Sequence, residues 1–347
     1  SRCGSEKLTE GQELTPEEFQ ERLGDIFIPA ISQRARHVRD SGMRFAHYTS
    51  AESAMKILST EQMLLRNSTL MNDFSEVQYG LHCLSLAYNS PLGDRLKAQI
   101  EKVQGDLPQI FEQQFNAMEI DLRTETYLIS ISEHGDRQTG DGPEDRFGRL
   151  SMWRAYAPKD GVAFVFNNGP FMSETNAINA YSAPVQYVTE DEFKEAFTKL
   201  VEGVEANIDL IAKYGGQHLY EWLTHAFTLI VQSTKHPSFS EEREWRVLYS
   251  PALLFRNGAL DDNQLARIPT QIMTLGGVPQ RVFAIPFRNY PDEGFVGATI
   301  PELVDRVLIG PSANSYAIYQ AMVSELQRLG VADASERVYV TGIPLRT

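Results

Sequence analysis

The 347-residue chain carries 42% hydrophobic and 22% charged residues, the balance of a globular protein with apolar material for one large domain or two ordinary ones. Its net charge of −14 argues against general binding to nucleic acid or anionic membrane, because phosphate-rich surfaces attract basic proteins. The two cysteines, Cys3 and Cys83, make neither a disulfide framework nor a zinc cluster and fit a reducing, cytoplasmic setting. No apolar run reaches the length of a membrane span, and the polar start SRCGSEKLTEGQ lacks the apolar segment of a secretion signal.

In chain order, Thr15-Pro16-Glu17-Glu18 opens a helix with a capping box, running to about residue 40 with a break near Pro29. MRFAHYTS reads as a strand, followed by a helix that Thr49 caps and Glu52 supports, with Ala54, Ile57 and Leu58 as its apolar stripe. QMLLRNS is a second strand. Residues 75–120 have helical period, interrupted around Asn89-Ser90-Pro91. ETYLISISE is a strand, and the polar, glycine-rich residues 133–148 form a long loop. A short helix LSMWRAYA and a buried strand GVAFVFN follow, and APVQYV fits a short strand. Residues 190–233 are helical with a break at Gly215-Gly216, and RVFAIPF, VDRVLIGPSA and VYVTGIPLR are strands, the last two separated by a helix over 315–329. The pattern predicts one α+β domain over residues 43–347, preceded by a helical extension over 1–42 and carrying helical insertions at about 75–120 and 190–233.

One strand, SFSEEREWRVLYS over residues 238–250, carries unusual charge for its type. Alternation puts Arg243, Trp245, Val247 and Tyr249 on one side and Glu242, Glu244, Arg246 and Leu248 on the other. The polar side reads either as a solvated face or as the floor of a cleft, with a carboxylate over a substrate and an arginine near its phosphates. Two further segments favour a cleft. His47, Tyr48 and Thr49 stand where a strand meets a helix N-terminus, a place suited to a ribose and phosphate. Trp153 and Tyr156 share one helical face, Trp153 suiting the core and Tyr156 a stacking role. Lys235, His236 and Phe239 read as a loop lip beside the strand. The histidines lack metal-ligand spacing, so no metal is expected.

Taken in order, His-Tyr-Thr, Trp-x-x-Tyr-Ala before GVAFVF, and Glu-Glu-Arg-Glu-Trp-Arg resemble a bacterial family of unknown function with HYT, MWxxY and ExEWR motifs. The resemblance covers about residues 43–347 and includes the ending VLIGPSAN…VYVTGIPLR. That family in turn resembles the ADP-ribosyltransferase fold in its His–Tyr–Glu form, which implies a split mixed β-sheet core and NAD as substrate. The resemblance implies that His47, with Thr49 beside it, holds a ribose of NAD. Tyr156, with Tyr48 as competitor, stacks on nicotinamide, and Glu244 acts on the nicotinamide ribose. Glu242 completes a Glu-x-Glu pair like that of the arginine-modifying branch, whose Ser-Thr-Ser strand finds a loose echo in Ser130 and Ser132. Arg66, Asn67 or Arg154 would reach the pyrophosphate, Trp153 would line the site, and Arg246 would keep Glu244 ionised. The implied activity is ADP-ribosyl transfer to a protein or nucleic-acid acceptor, or hydrolysis of NAD, in a toxin or phage-defence setting. The alternative is a non-catalytic nucleotide- or protein-binding module. The two part on whether Glu244 and His47 face one cavity; a place on opposite faces of the sheet counts against the enzyme.

Overall fold

The computed structural model describes residues 16–71, 74–135, 142–251 and 266–344. The predicted cap Thr15 and the middle of the glycine-rich loop, residues 136–141, lie outside the described residues. In chain order the strands are β1 (Arg44–Ser50), β2 (Gln62–Asn67), β3 (Tyr127–His134), β4 (Gly161–Phe166), β5 (Tyr181–Pro184), β6 (Gln186–Tyr187), β7 (Thr234–Lys235), β8 (Glu244–Tyr249), β9 (Thr270–Leu275), β10 (Val278–Pro286), β11 (Val304–Ile309) and β12 (Val338–Val340). The helices are α1 (Pro16–Phe27), α2 (Pro29–Ser41), α3 (Ala51–Thr60), α4 (Phe74–Tyr88), α5 (Pro91–Val103), α6 (Leu107–Thr124), α7 (Pro143–Phe147), α8 (Leu150–Tyr156), α9 (Glu190–Ala206), α10 (Ile208–Ser233), α11 (Ile300–Leu303), α12 (Ser315–Arg328) and α13 (Ala334–Arg337).

Local chemistry sets these boundaries. α3 is capped by Ser50, whose hydroxyl accepts from the Ser53 amide, and not by the predicted Thr49, which is still in β1. α9 begins with a complete Thr189/Glu192 capping box. Within α10, Gly215 takes φ +84, a left-handed turn that kinks the helix where the Gly-Gly pair predicts a break. The loop predicted over 133–148 contains α7, started by Pro143 after Gly142. The VYVTGIPLR strand is only three residues long; the predicted RVFAIPF strand is the body of β10, whose hairpin partner β9, joined to it by Gly276 (φ +57) and Gly277 (φ +82), went unpredicted.

Ten strands form one mixed sheet in the order β12-β11-β4-β1-β3-β2-β10-β9, with β8 on the second edge of β3 and β5 beyond it. Among the described residues of this sheet only β11 and β12 pair in parallel. The sheet splits along β3. One edge of β3 is shared: β1 pairs with its C-terminal end, Ser132 to His134, and β2 with its N-terminal end, Tyr127 and Leu128. Between them, residues 129–131 have no described strand on that edge, whereas β8 runs unbroken along the other from Tyr127 to Ser132.

One sheet face buries Phe45, Phe164, Phe166, Ile131, Trp245 and Val247 and is covered in part by α3 and α12. Against the other face pack Ala46, Tyr48, Val165 and Leu308 with Met152 and Trp153 of α8. A separate, large helical core joins Leu23 and Ile26 of α1 to Leu84, Leu96, Phe111, Phe197 and Phe227 of α4, α5, α6, α9 and α10. The predicted N-terminal extension and both predicted insertions thus meet in one helical layer with a common apolar interior. At roughly 25 cal/mol per Å² of apolar surface, that shared burial is what makes three segments distant in sequence hold together.

Candidate functional site

The predicted charged strand begins later than its sequence suggests. Pro237–Glu242 is a 3-10 segment, Arg243 takes the left-handed conformation (φ 44, ψ 48), and β8 starts at Glu244. From there the alternation holds. Pairing with β3 puts Trp245 opposite Ile131 and Val247 opposite Ile129 on one face, and Glu244 opposite Ser132 and Arg246 opposite Ser130 on the other. The polar face is not solvated: Glu244 is 4% exposed and Arg246 1%.

Buried charge requires partners, and here each charge has them. Glu244 accepts from the Ser130 hydroxyl at 2.6 Å and from Arg246 Nε at 3.0 Å on Oε1, and from Lys235 Nζ at 3.1 Å on Oε2. Arg246 also donates to the Gln232 carbonyl at 2.6 Å. Lys235, on β7 after α10, is fully buried; its Nζ also contacts Glu242 Oε2 at 2.8 Å and lies 4.8 Å from the Phe239 ring centre. Burial pushes the Glu244 carboxyl upward, but Arg246 and Lys235 outweigh it and, with the Ser130 hydrogen bond, hold it at about 2. The Glu244 amide donates to the Tyr187 hydroxyl at 2.8 Å, and burial raises the Tyr187 phenol well above its ordinary 10.0.

Glu242 stands at the edge of this network, its side chain 18% exposed, and takes a 2.8 Å hydrogen bond from the half-exposed Tyr156. Arg149 pins the neighbourhood, donating to the Ser132 hydroxyl, to the carbonyls of Glu133 and Glu241, and to Glu144. The sequence singled out Glu242, Glu244, Arg246 and Tyr156, and the fold brings these four together. Lys235, expected only as a loop lip, is the cation between the two glutamates. Tyr187 and Arg149 were not anticipated.

The His-Tyr-Thr expectations come out differently. Ala46 is opposite Ser132, which is opposite Glu244, so Ala46 and Tyr48 share the face of Glu244 while His47 and Thr49 point to the other. The expectation that Glu244 and His47 face one cavity is therefore not met by strand alternation. They are linked across the split instead. The Nδ1 of His47 donates to the Ser130 carbonyl at 3.1 Å, within the stretch that neither β1 nor β2 pairs, while the hydroxyl of the same serine donates to Glu244. Burial lowers the His47 pKa, partly offset by that hydrogen bond.

Tyr48 is buried edge-on against Trp153, and its hydroxyl accepts from the Arg149 amide at 2.9 Å. Trp153 is core and donates to the Phe147 carbonyl at 2.8 Å. Asn67 is a structural cap: its Oδ1 accepts from Thr69 and its Nδ2 donates to the Thr124 carbonyl. Arg66, on β2 at the far side of the split, donates to Gln280 and to the Leu70 carbonyl in the turn after β2.

A cavity of about 60 Å³ lies on the other face of the same split, lined by Met63, Ile129, Phe171, Val247, Ile285 and Phe287 among others. It is mostly apolar, with Ser173, Thr175 and Ser182 in its wall, and is separated from Glu244 by the strands themselves. No helix among the described residues is long and apolar enough to cross a membrane. A family model described as a protein of unknown function (DUF2971) matches residues 152–247, from within α8 to Val247 in β8, a span that contains Tyr156, Lys235, Glu242, Glu244 and Arg246. No curated protein and no solved structure matches the chain.

Proposed function

We propose that the chain is an NAD-consuming enzyme, transferring ADP-ribose to a macromolecular acceptor or hydrolysing NAD, with Glu244 as its central carboxylate and without His47, whose place on the opposite sheet face counts against the histidine-dependent form of this chemistry and leaves the reading resting on the Glu244 network. The observation that carries this reading is the setting of Glu244 on β8 against β3: a buried carboxylate kept ionised at neutral pH, braced by Ser130, Arg246 and Lys235, in the Glu-x-Glu context that resembles ADP-ribosyltransferases. The Ser130–Glu244 bond also supports the echo of that fold's Ser-x-Ser strand.

The chemistry matches the charge. When the bond between nicotinamide and its ribose breaks, the electron pair leaves with nicotinamide and the sugar carbon becomes oxocarbenium-like. A fixed anion stabilises that developing cation with no reorganisation at the moment of reaction. A carboxyl held at about 2 is a weak base, so Glu244 acts through its field and not by accepting the proton of the incoming nucleophile. Glu244→Gln keeps the shape and removes the charge. Nicotinamide release from NAD is expected to fall by about 10²–10³-fold. Equal release from both proteins, or none from the wild type with candidate acceptors present, defeats the reading.

A second reading has its own observation. Both oxygens of Glu244 are already engaged and His47 lies on the opposite face, as suits a non-catalytic nucleotide- or protein-binding module. Saturable NAD binding by calorimetry without nicotinamide release would select it.

A further inference from the structure

We propose that the 3-10 segment Pro237–Glu242 is a lid over the Lys235–Glu244 pair, and that Glu242 is its catch, a positioning residue and not a reacting group. The functional part of this inference rests on the NAD reading above; the lid itself does not. With Glu244 4% exposed and Lys235 fully buried, no ligand reaches the central carboxylate unless its cover moves.

The cover is this segment. Phe239 lies 4.8 Å from Lys235 Nζ, and Glu242 closes on the same nitrogen at 2.8 Å. None of the six residues is buried, and Ser238, Phe239, Ser240 and Glu241 are exposed, so almost no apolar burial holds the segment down. Polar bonds hold it instead, and they converge on its last two residues. Glu242 binds Tyr156 through Oε1 and Lys235 through Oε2, its carbonyl accepts from Ser132, and the Glu241 carbonyl accepts from Arg149 at 2.5 Å.

The hinge is next to the catch. Arg243 is a non-glycine residue in the left-handed region, a conformation that costs of order 1 kcal/mol and persists only where its surroundings impose it. At the other end His236 caps the turn, its Nδ1 accepting from the Ser238 amide at 3.2 Å. A short segment with strained backbone at one end, little burial and a charged catch opens as a unit when the catch is released.

The test compares wild type with Glu242→Ala, Tyr156→Phe and, as a control, Glu241→Ala, whose side chain is exposed. Amide hydrogen exchange over residues 238–242 is expected to quicken on the order of tenfold or more in Glu242→Ala and by less in Tyr156→Phe, with Glu241→Ala unchanged. Nicotinamide release is expected to rise in Glu242→Ala as Glu244 becomes accessible. Unchanged exchange in both Glu242→Ala and Tyr156→Phe, each with a wild-type melting profile, overturns the lid. Faster exchange together with at least tenfold lower release overturns the role of catch and makes Glu242 a reacting group. If the wild type releases no nicotinamide, the NAD reading fails and exchange alone decides the lid.

Discussion

Replacing Lys235 with Met tests the central network most directly, because it keeps the length and packing of the stem and removes the cation shared by two carboxylates. The displacement of Glu244 from 4.5 to about 2 is worth about 3 kcal/mol at 1.36 kcal/mol per unit. Arg246 supplies the larger attraction and Lys235 the next, and without Lys235 Glu242 loses its 2.8 Å partner as well. Breaking a buried pair from one side costs about 3–5 kcal/mol; with Arg246 remaining, a loss of about 2–4 kcal/mol is expected. The pH dependence follows from the sign of the shift. A depressed carboxyl stabilises the fold above its unfolded pKa, and that contribution is lost as pH falls from 4.5 toward 2. Removing Lys235 raises the Glu244 pKa, so the mutant has less of this contribution to lose. The gap between the two proteins is therefore wide at pH 7 and narrows below about pH 4. Urea unfolding followed by tryptophan fluorescence at pH 7 and pH 3 measures it. Equal midpoints at pH 7, or a gap of the same size at both pH values, would refute the account of Lys235 as the shared counter-ion.

Ser130→Ala removes the 2.6 Å donor to Glu244 and is expected to cost about 1.5–3 kcal/mol, read as a lower melting temperature, and to reduce nicotinamide release. Gly310→Ala would place a methyl group 2.7 Å from the Trp153 ring, so it should destabilise by about 1–3 kcal/mol in the same assay.

Much of the fold is legible because local signals agree with it. The split between Trp245, Val247 and Tyr249 on one side and Glu244, Arg246 and Leu248 on the other follows from alternation alone, as does the helical character of 75–120 and 190–233 from its period. What alternation cannot supply is the phase between strands. His47 in the middle of β1 and Glu244 at the start of β8 both stand beside polar residues, yet only the register Ala46–Ser132–Glu244 reveals that they face apart. Lys235 was illegible for a related reason. Its two carboxylates come seven and nine residues later, around a 3-10 turn and a left-handed Arg243, a path with no sequence period. The helical layer was visible in its pieces but not as one body, because its cohesion comes from contacts between segments that strands of the sheet separate in the chain.

The split also explains why the histidine and the glutamate can be coupled without sharing a face. A strand edge left without a neighbour exposes carbonyls that must find other donors. Between β1 and β2 the Ser130 carbonyl is such a group, and the His47 ring takes it at 3.1 Å. That bond helps fix the backbone of Ser130, and the backbone aims the hydroxyl that meets Glu244 at 2.6 Å. His47 therefore acts on Glu244 through one residue, by orientation and not by approach. On this argument a histidine in the middle of β1 is needed for its neutral Nδ1–H, which burial favours by holding the ring below its ordinary pKa, and the anion on the far side needs the hydroxyl of a serine at position 130. The two hold one geometry from opposite faces of the sheet.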